Sequence, residues 1–510
     1  MRDYVAVIDA GTGGVRCALF DREGCAAGRC YRELETVYTP DGRAEQDPEQ
    51  LVCRAFEAVA GALKAGDIDP GAVAGVSVAG VQTSFVPLDG NGRALGRLIL
   101  WQDARGLEMF PWIRQQLARA GLTEADLYRR TLKPLDALLA GAKLLWLRER
   151  EPAQFGKIRS LANPQAVLLR ALGAEQTTID PTDVGWFLAH DGATLEPDGA
   201  LLRLFGLDPA IFPALKRCGE VVGRVSPGAA ARTGLRAGTP LFQGAVDQCC
   251  AALGAGNPGR GDVGTLCLGT AGVLMTWQER PAPDPKGRYY VIPFPTGGFA
   301  TEAAVPVAAA AFRWVRDALF PAGGFDPDTV YARMDAQAAR APAGAGGVLF
   351  LPHLAGQIFP EANADARGGF VGASLGTTRG ELMRAALEGV CFGMRQVIEA
   401  AGGGFATLRL LGGAARSALW CQMQADVYRC PVETMTEPEA SALGAAMIAA
   451  VGAGLYPSLP DAVRGMSRVA RRYEPNATRA RVYDEYYRAW TQCGEALTET
   501  FTALAAVRKT

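Results

Sequence analysis

The sequence predicts an α/β protein of two similar domains, and three observations carry that reading. Short apolar runs alternate with stretches of helical period, the arrangement that lays helices on a mostly parallel sheet. A glycine-rich turn between strand-like runs, Gly11-Thr12-Gly13-Gly14-Val15, recurs as Gly269-Thr270-Ala271-Gly272-Val273. The 510 residues, 49% apolar and 21% charged, are enough for two cores of ordinary size. The expected domains are residues 1–250 and 251–510.

Each element has a local reason. Tyr4 to Ala10 and Val15 to Phe20 are β-rich runs around the first glycine turn and predict a hairpin. Asp47-Pro48-Glu49-Gln50 opens a helix running to Lys64, with Asp47 as N-cap and Gln50 closing a capping box. Val73 to Ala79 predicts a buried strand. Leu98 to Leu100 predicts a short one that delivers Trp101-Gln102-Asp103-Ala104-Arg105 at its end. Helices fill much of 107–173, and Gly and Pro punctuate a looser stretch over 174–236. The second half restarts with a strand over Pro240 to Val246, Asp247 at a helix start, and a hairpin over Asp262 to Trp277 around the second glycine turn. Residues 341–347 read as a flexible connector before a strand over 348–351. Thr378 and Glu381 form the capping box of a long helix to about Ala401. Leu408 to Leu411 is a strand ending in Gly412-Gly413, Ser417 caps the next helix, and Thr436 with Glu439 caps a small-residue helix over 440–450.

Composition excludes several classes. Net charge is −1 and no basic run stands out, which argues against a nucleic-acid partner. Only His190 and His353 are present, too few for a multi-histidine metal site. The 12 cysteines include no Cys-x-x-Cys pair and read as free thiols of a reducing cytoplasm. The longest apolar run, ten residues from Ala303 to Phe312 with Pro306 inside, is far short of a membrane span, and Met1-Arg2-Asp3-Tyr4 running straight into a strand predicts no signal peptide. A cytoplasmic protein is therefore expected. No Gly-x₄-Gly-Lys-Ser/Thr loop occurs, and the Gly-x-Gly-x-x-Gly over 254–259 follows a helix instead of a strand, so it reads as a loop.

Four features could carry chemistry. Asp9 closes the first strand beside a turn whose amides can cradle phosphate. A carboxylate beside a phosphate calls for a cation such as Mg²⁺ between them, and Arg16 adds positive charge. Gly269 and Thr270 offer a second set of amide and hydroxyl donors. Asp247, at a helix start, could take the proton of an attacking hydroxyl in phosphoryl transfer. Gly412-Gly413 permits close backbone approach to a flat base. Taken singly, each has a structural alternative: a turn-ending aspartate, a plain hairpin, an N-cap, a β-to-α turn.

Together these segments resemble the FGGY carbohydrate kinases of the actin/Hsp70-like superfamily. Asp9 to Arg16 resembles the first phosphate motif, and Leu268-Gly269-Thr270-Ala271-Gly272 the second. Gly244-Ala245-Val246-Asp247-Gln248 resembles the catalytic-base segment, and Glu381 to Gly389 the C-terminal signature. Leu411-Gly412-Gly413-Ala414-Ala415-Arg416-Ser417 resembles the adenosine motif, which Glu439 to Ala446 continues. Lys143-Leu144-Leu145-Trp146 matches part of the N-terminal signature. Within the family, Glu45 to Gln50, Trp101 to Arg105 and Leu351 to Gly356 look most like xylulokinases. In contrast, Gly80-Val81-Gln82-Thr83-Ser84 stands where those enzymes usually carry Gln-Met-His-Gly.

The resemblance implies two ribonuclease-H-like domains with an interdomain cleft, ATP and Mg²⁺, and a small sugar or polyol, most readily a ketopentose. Glycerol, gluconate, ribulose or another polyol is the alternative to the xylulokinase-like substrate. It implies Asp247 as base, with Asp9 and Asp247 toward the metal. Thr12, Gly13, Arg16, Gly269, Thr270, Gly412, Gly413, Ala414 and Arg416 face the nucleotide, and Gln82, Trp101, Asp103, Arg105, Asp247 and Gln248 face the sugar. A homodimer is the assembly it suggests. A sugar-independent ATPase or a non-catalytic sugar sensor on the same fold is the competing class.

Overall fold

The computed structural model describes residues 3–319 and 327–508. The chain forms two compact units, each discontinuous in sequence: 1–259 with 277–300 and 439–468, and 260–276 with 301–438 and 469–510. Both contain strands and helices in alternation, the predicted α/β class.

The first unit is built on β1 (Tyr4–Gly11), β2 (Gly14–Phe20), β3 (Ala26–Glu33), β4 (Val73–Gly80), β5 (Val221–Arg224) and β6 (Pro240–Phe242). Across the sheet the order is β5-β6-β4-β1-β2-β3. β1 pairs antiparallel with β2 and parallel with β4, and β4 pairs parallel with β6. Central strands buried on both faces are predominantly apolar, and all of β4 is buried, with Ser77 its one polar residue. Ala6, Ile8 and Ala10 share a core with Leu51, Ala55 and Val59 of helix Pro48–Ala65. Asp47 caps that helix by accepting the Glu49 N–H at 2.8 Å. Gln50 closes no capping box, since its carbonyl is taken by the Glu35 N–H at 2.9 Å.

Helices Asp247–Gly254 and Ala440–Gly452 touch backbone to backbone in the same unit. A Cβ on Gly254 would lie 1.9 Å from the Ala440 carbonyl, and one on Gly444 1.8 Å from the Cys250 carbonyl. Two glycines therefore permit a distance no larger side chain allows. Helix Ala440–Gly452 lacks the expected threonine cap; Glu439 holds the cap position without a capping bond.

The second unit repeats the plan. β7 (Val263–Leu268), β8 (Gly272–Gln278), β9 (Phe299–Val305), β10 (Thr407–Leu411), β11 (Val432–Met435) and β12 (Val469–Tyr473) run β9-β8-β7-β10-β11-β12. β7 pairs antiparallel with β8 and parallel with β10, and β10 pairs parallel with β11. Across these six strands the connectivity is that of the first sheet, with Tyr290–Pro293 as an additional seventh strand, so the repeated glycine turn marks a repeated topology. The Thr378–Glu381 capping box and the Ser417 cap are present. The connector over 341–347 is tied down: the Gly344 N–H donates to buried Glu388 at 3.0 Å, and Arg384 donates to the same carboxylate at 2.8 Å. All 12 cysteines are free thiols. Among the described residues no helix is long and apolar enough to cross a membrane.

Candidate active site

Side chains alternate along a strand, so sending Ala6, Ile8 and Ala10 into one core turns Asp9 to the other face of β1. There Ser441, in the first turn of helix Ala440–Gly452, donates its hydroxyl to Asp9 at 3.2 Å. Arg16, the cross-strand partner of Asp9, stands 3.7 Å from it and 2.5 Å from Glu439. Asp9 is only 9% exposed. Burial lifts its carboxyl to about 6; Arg16 and Ser441 pull it down and Glu439 pushes it up. The charge at this position is thus only partly compensated by the protein.

Asp247 is the first residue of its helix, with Val246 at the N-cap, and accepts the Gln248 N–H at 2.8 Å. A carboxylate here gains from the helix dipole. The Val246 N–H donates to the Thr182 hydroxyl oxygen at 3.0 Å, and Thr182 donates in turn to Asp180. Asp180 is fully buried, and burial with the Asp183 charge lifts its carboxyl to about 7. Cys250, one turn along from Asp247, has its thiol pushed well up by burial, with the charges of Asp9, Asp180 and Asp247 adding to the rise. Asp9 and Asp247 therefore bear on one neighbourhood of the first unit.

The turn between β1 and β2 is fastened from several sides. Gln46 donates to the Thr12 carbonyl at 2.7 Å, and Tyr31 and the Leu34 N–H donate to the Gly13 carbonyl at 2.9 and 3.1 Å. The Trp101 indole N–H donates to the Thr12 hydroxyl oxygen at 2.9 Å. With its carbonyls engaged and Gly13 exposed, the turn leaves amide and hydroxyl donors for an anion.

The residues expected on the sugar side divide. Gln82 is half-buried at the end of β4. Beside it Thr83 has a φ of 57°, which is strained for a β-branched residue. Asp183 holds that conformation by accepting the Thr83 N–H at 3.0 Å, and Asn163 orients Asp183 at 2.8 Å. Thr83 is 1% exposed, and its buried hydroxyl is without a hydrogen-bond partner.

Asp103 and Arg105 are instead spent on each other. Asp103 is fully buried and accepts from Arg105 Nε at 2.7 Å, Arg105 Nη2 at 2.8 Å and the Ala44 N–H at 2.8 Å. Arg105 also pairs with Glu45 and stacks over Trp146. They brace the segment after Trp101, because a buried ion pair keeps its stability only while its partners stay together.

In the second unit, Gly269 and Thr270 use their carbonyls to cap helix Ala309–Leu319, accepting the Ala309 and Ala308 N–H groups at 2.9 Å. The Gly269 N–H is taken by the Ala271 carbonyl at 3.0 Å. Arg313 reaches the Thr270 hydroxyl at 3.4 Å. Gly412 (φ 82°) packs on the same turn, where a Cβ would lie 2.6 Å from the Leu268 carbonyl. Gly413 is exposed and faces open space, and Arg416 is exposed. Ala414 is buried as a whole residue, and its carbonyl accepts the Ser417 N–H at 3.2 Å.

Sequence reasoning missed Thr83, Asp180, Thr182, Ser441 and Arg313 as site residues. It also placed Glu439 to Ala446 with the adenosine segment, whereas the fold sets Glu439 and Ser441 against Arg16 and Asp9. The small-residue pattern of 440–450 signalled close packing, but its partner surfaces, helix Asp247–Gly254 and the Asp9 strand, are both remote in the chain.

The FGGY carbohydrate-kinase family has two domain models; the N-terminal one matches residues 4–254 and the C-terminal one residues 264–453. The chain is 28% identical over 514 residues to the xylulose kinase of Bacillus subtilis, covering 99% of both chains. It is 31% identical over 506 residues to the glycerol kinase of Thermus brockianus, covering 96% of this chain and 98% of that one. The crystal structure of xylulose kinase from Rhodospirillum rubrum matches it with a TM-score of 0.86 at 29% identity, over 98% of this chain and 100% of that one.

Proposed function

This chain belongs to the FGGY family of carbohydrate kinases, and from that premise we propose that it transfers the terminal phosphoryl group of ATP to a hydroxyl of a ketopentose. One observation carries the choice of substrate. The only cation expected on the sugar side, Arg105, is consumed by Asp103 and Glu45, while the Thr83 hydroxyl beside Gln82 is buried and unpartnered. Neutral donors suit a neutral polyol, whose hydroxyls need partners once desolvated. An aldonate such as gluconate would find the Arg105 guanidinium already paired with two carboxylates. The stretches over 45–50, 101–105 and 351–356 favour a ketopentose over glycerol.

In this reading Asp247 accepts the proton of the attacking hydroxyl as the oxygen–phosphorus bond forms, with ADP as the leaving group. Gln82, Thr83 and Gln248 orient the sugar, and Trp101 orders the wall beside it. Thr12, Gly13 and Arg16 from the first unit bind phosphate oxygens, as does the Thr270 hydroxyl of the second, whereas the Gly269 amide is already taken by the Ala271 carbonyl. Gly412, Gly413 and Arg416, which are exposed, take the adenosine end, and buried Ala414 supports the turn that carries them. Alignment and charge neutralisation supply most of the acceleration.

The residues fit a magnesium-nucleotide. Asp9 is a carboxylate whose buried charge is under-compensated, and Asp247 lies in the same neighbourhood. Among the described residues no three carboxylate, histidine or cysteine side chains form a cage. Mg²⁺ characteristically takes one or two carboxylates and completes its shell with phosphate and water. When bound, it would neutralise phosphate charge; Asp9 and Asp247 would hold it.

ADP release measured with D-xylulose, D-ribulose, glycerol and D-gluconate tests the reading. A ketopentose should exceed the others by at least about 10-fold in kcat/KM, the effect of one typical net hydrogen bond. Preference for glycerol or gluconate would overturn the substrate assignment. Sugar-independent ADP release would make the protein an ATPase, and binding without turnover of any sugar would make it a sensor.

A further inference from the structure

Lys143, on helix Ala140–Arg150, has no solvent exposure. An ammonium in such a place costs several kcal/mol unless its donors are met. Its Nζ donates to two consecutive carbonyls, Leu100 at 2.9 Å and Trp101 at 2.8 Å. Burial lowers its pKa to about 7, with Asp103 and Asp136 resisting and Arg105 adding to the fall. A methionine of similar length would fill the space without that cost. What the ammonium adds is a fixed position for the main chain at residues 100 and 101.

The opposite side of that main chain is held too. The Trp101 N–H donates to the Ser84 hydroxyl oxygen at 3.0 Å, and Ser84 follows Gln82 and Thr83 directly. Clamped on both sides, Trp101 reaches out with its indole N–H to the Thr12 hydroxyl oxygen at 2.9 Å. A threonine hydroxyl carries one proton and two lone pairs. Once a lone pair accepts the indole N–H, the proton of Thr12 is turned away from Trp101. The Thr12 carbonyl is already taken by Gln46 at 2.7 Å, so the residue cannot rotate as a unit to undo this.

We infer that Lys143 is a positioning residue for the phosphate turn: it fixes the backbone of Trp101, Trp101 orients the Thr12 hydroxyl, and Thr12 presents its proton to a phosphate oxygen. The same chain ties the sugar-side loop, through Ser84, to the phosphate-side turn. The inference rests on the proposed role of Thr12 as a phosphate ligand.

The test combines turnover with a spectroscopic readout on the full-length protein. Lys143→Met should lower kcat about 10- to 100-fold, the cost of a small misplacement at a reacting group. It should also move the Trp101 indole N–H resonance, identified by its loss in Trp101→Phe. In a Thr12→Val background, where the last link is already gone, Lys143→Met should cost less than about 3-fold more. An unmoved resonance, or an undiminished loss of kcat in the Thr12→Val background, would overturn the inference. If the resonance moves but Thr12→Val leaves kcat and the KM for ATP intact, the side-chain chain stands and the assignment of Thr12 to phosphate falls. Should Lys143→Met not fold, Ser84→Ala, which removes only the opposite clamp, gives the same two readouts.

Discussion

The two glycine turns begin from nearly the same five residues and are braced by opposite means. Thr12-Gly13 is held by side chains: Gln46, Tyr31 and Trp101 all bond to it. Gly269-Thr270 is held by backbone, its carbonyls capping helix Ala309–Leu319. The residues behind them differ as well. Asp9 lies behind the first turn, and Cys267 takes the equivalent place behind the second. Two copies of one topology have thus diverged into an acidic unit, carrying Asp9 and Asp247, and a unit whose offered donors are backbone, the Thr270 hydroxyl, Arg313 and Arg416. A duplicated sheet preserves the place for a ligand; the residues set around it decide what chemistry occurs there.

The largest expected effect tests that division. Asp247→Ala should cut phosphoryl transfer by about 10³-fold or more, within the range of a general base, while nucleotide binding measured by calorimetry stays near normal. Near-normal turnover would place the base elsewhere and break the contrast between the units. Next, Asp9→Asn should lower kcat by on the order of 100-fold, whereas Cys267→Ala at the equivalent position should stay within about 3-fold of wild type.

Asp9 also sets a pH signature. Its folded pKa, about 6, lies above the ordinary 3.8, so the folded state holds the proton longer than the unfolded chain. Its contribution to stability is full below 3.8 and is lost as pH rises through about 6. Asp9→Asn should therefore stabilise the protein at pH 8, by on the order of 2 kcal/mol in urea unfolding, and leave stability at pH 4 unchanged. Catalysis runs the other way, with wild-type activity falling as pH drops through about 6 and Asp9 loses its charge.

Smaller effects sharpen the difference in bracing. Thr12→Val should lower kcat about 10- to 100-fold, because its hydroxyl is the point where the side-chain bracing ends. Thr270→Val should cost only about 2- to 5-fold, since that turn is held by carbonyls the substitution leaves in place. Equal losses would erase the distinction. Gly412→Ala places a Cβ 2.6 Å from the Leu268 carbonyl in a left-handed backbone. It should destabilise the second unit by about 1–3 kcal/mol. Gly413→Ala, facing open space, should be near neutral to unfolding and serve as its control.

The sequence by itself determined whatever rests on neighbours within a few residues. The two hairpins follow from glycine between β-rich runs, the Thr378–Glu381 box from a three-residue spacing, and the position of Asp247 from the helix it starts. The division into an acidic and a backbone-donor unit was already half visible in Asp9 against Cys267. Only the tertiary structure decided that Glu439 and Ser441 serve Asp9, that Thr182 holds the backbone before Asp247, that Arg105 is spent on Asp103 and Glu45, and that Thr83 is strained with its hydroxyl left over. These depend on burial and on which distant segments share a face. A carboxylate, a hydroxyl and a guanidinium have the same local preferences whether they meet a ligand or one another, and their surroundings alone settle which.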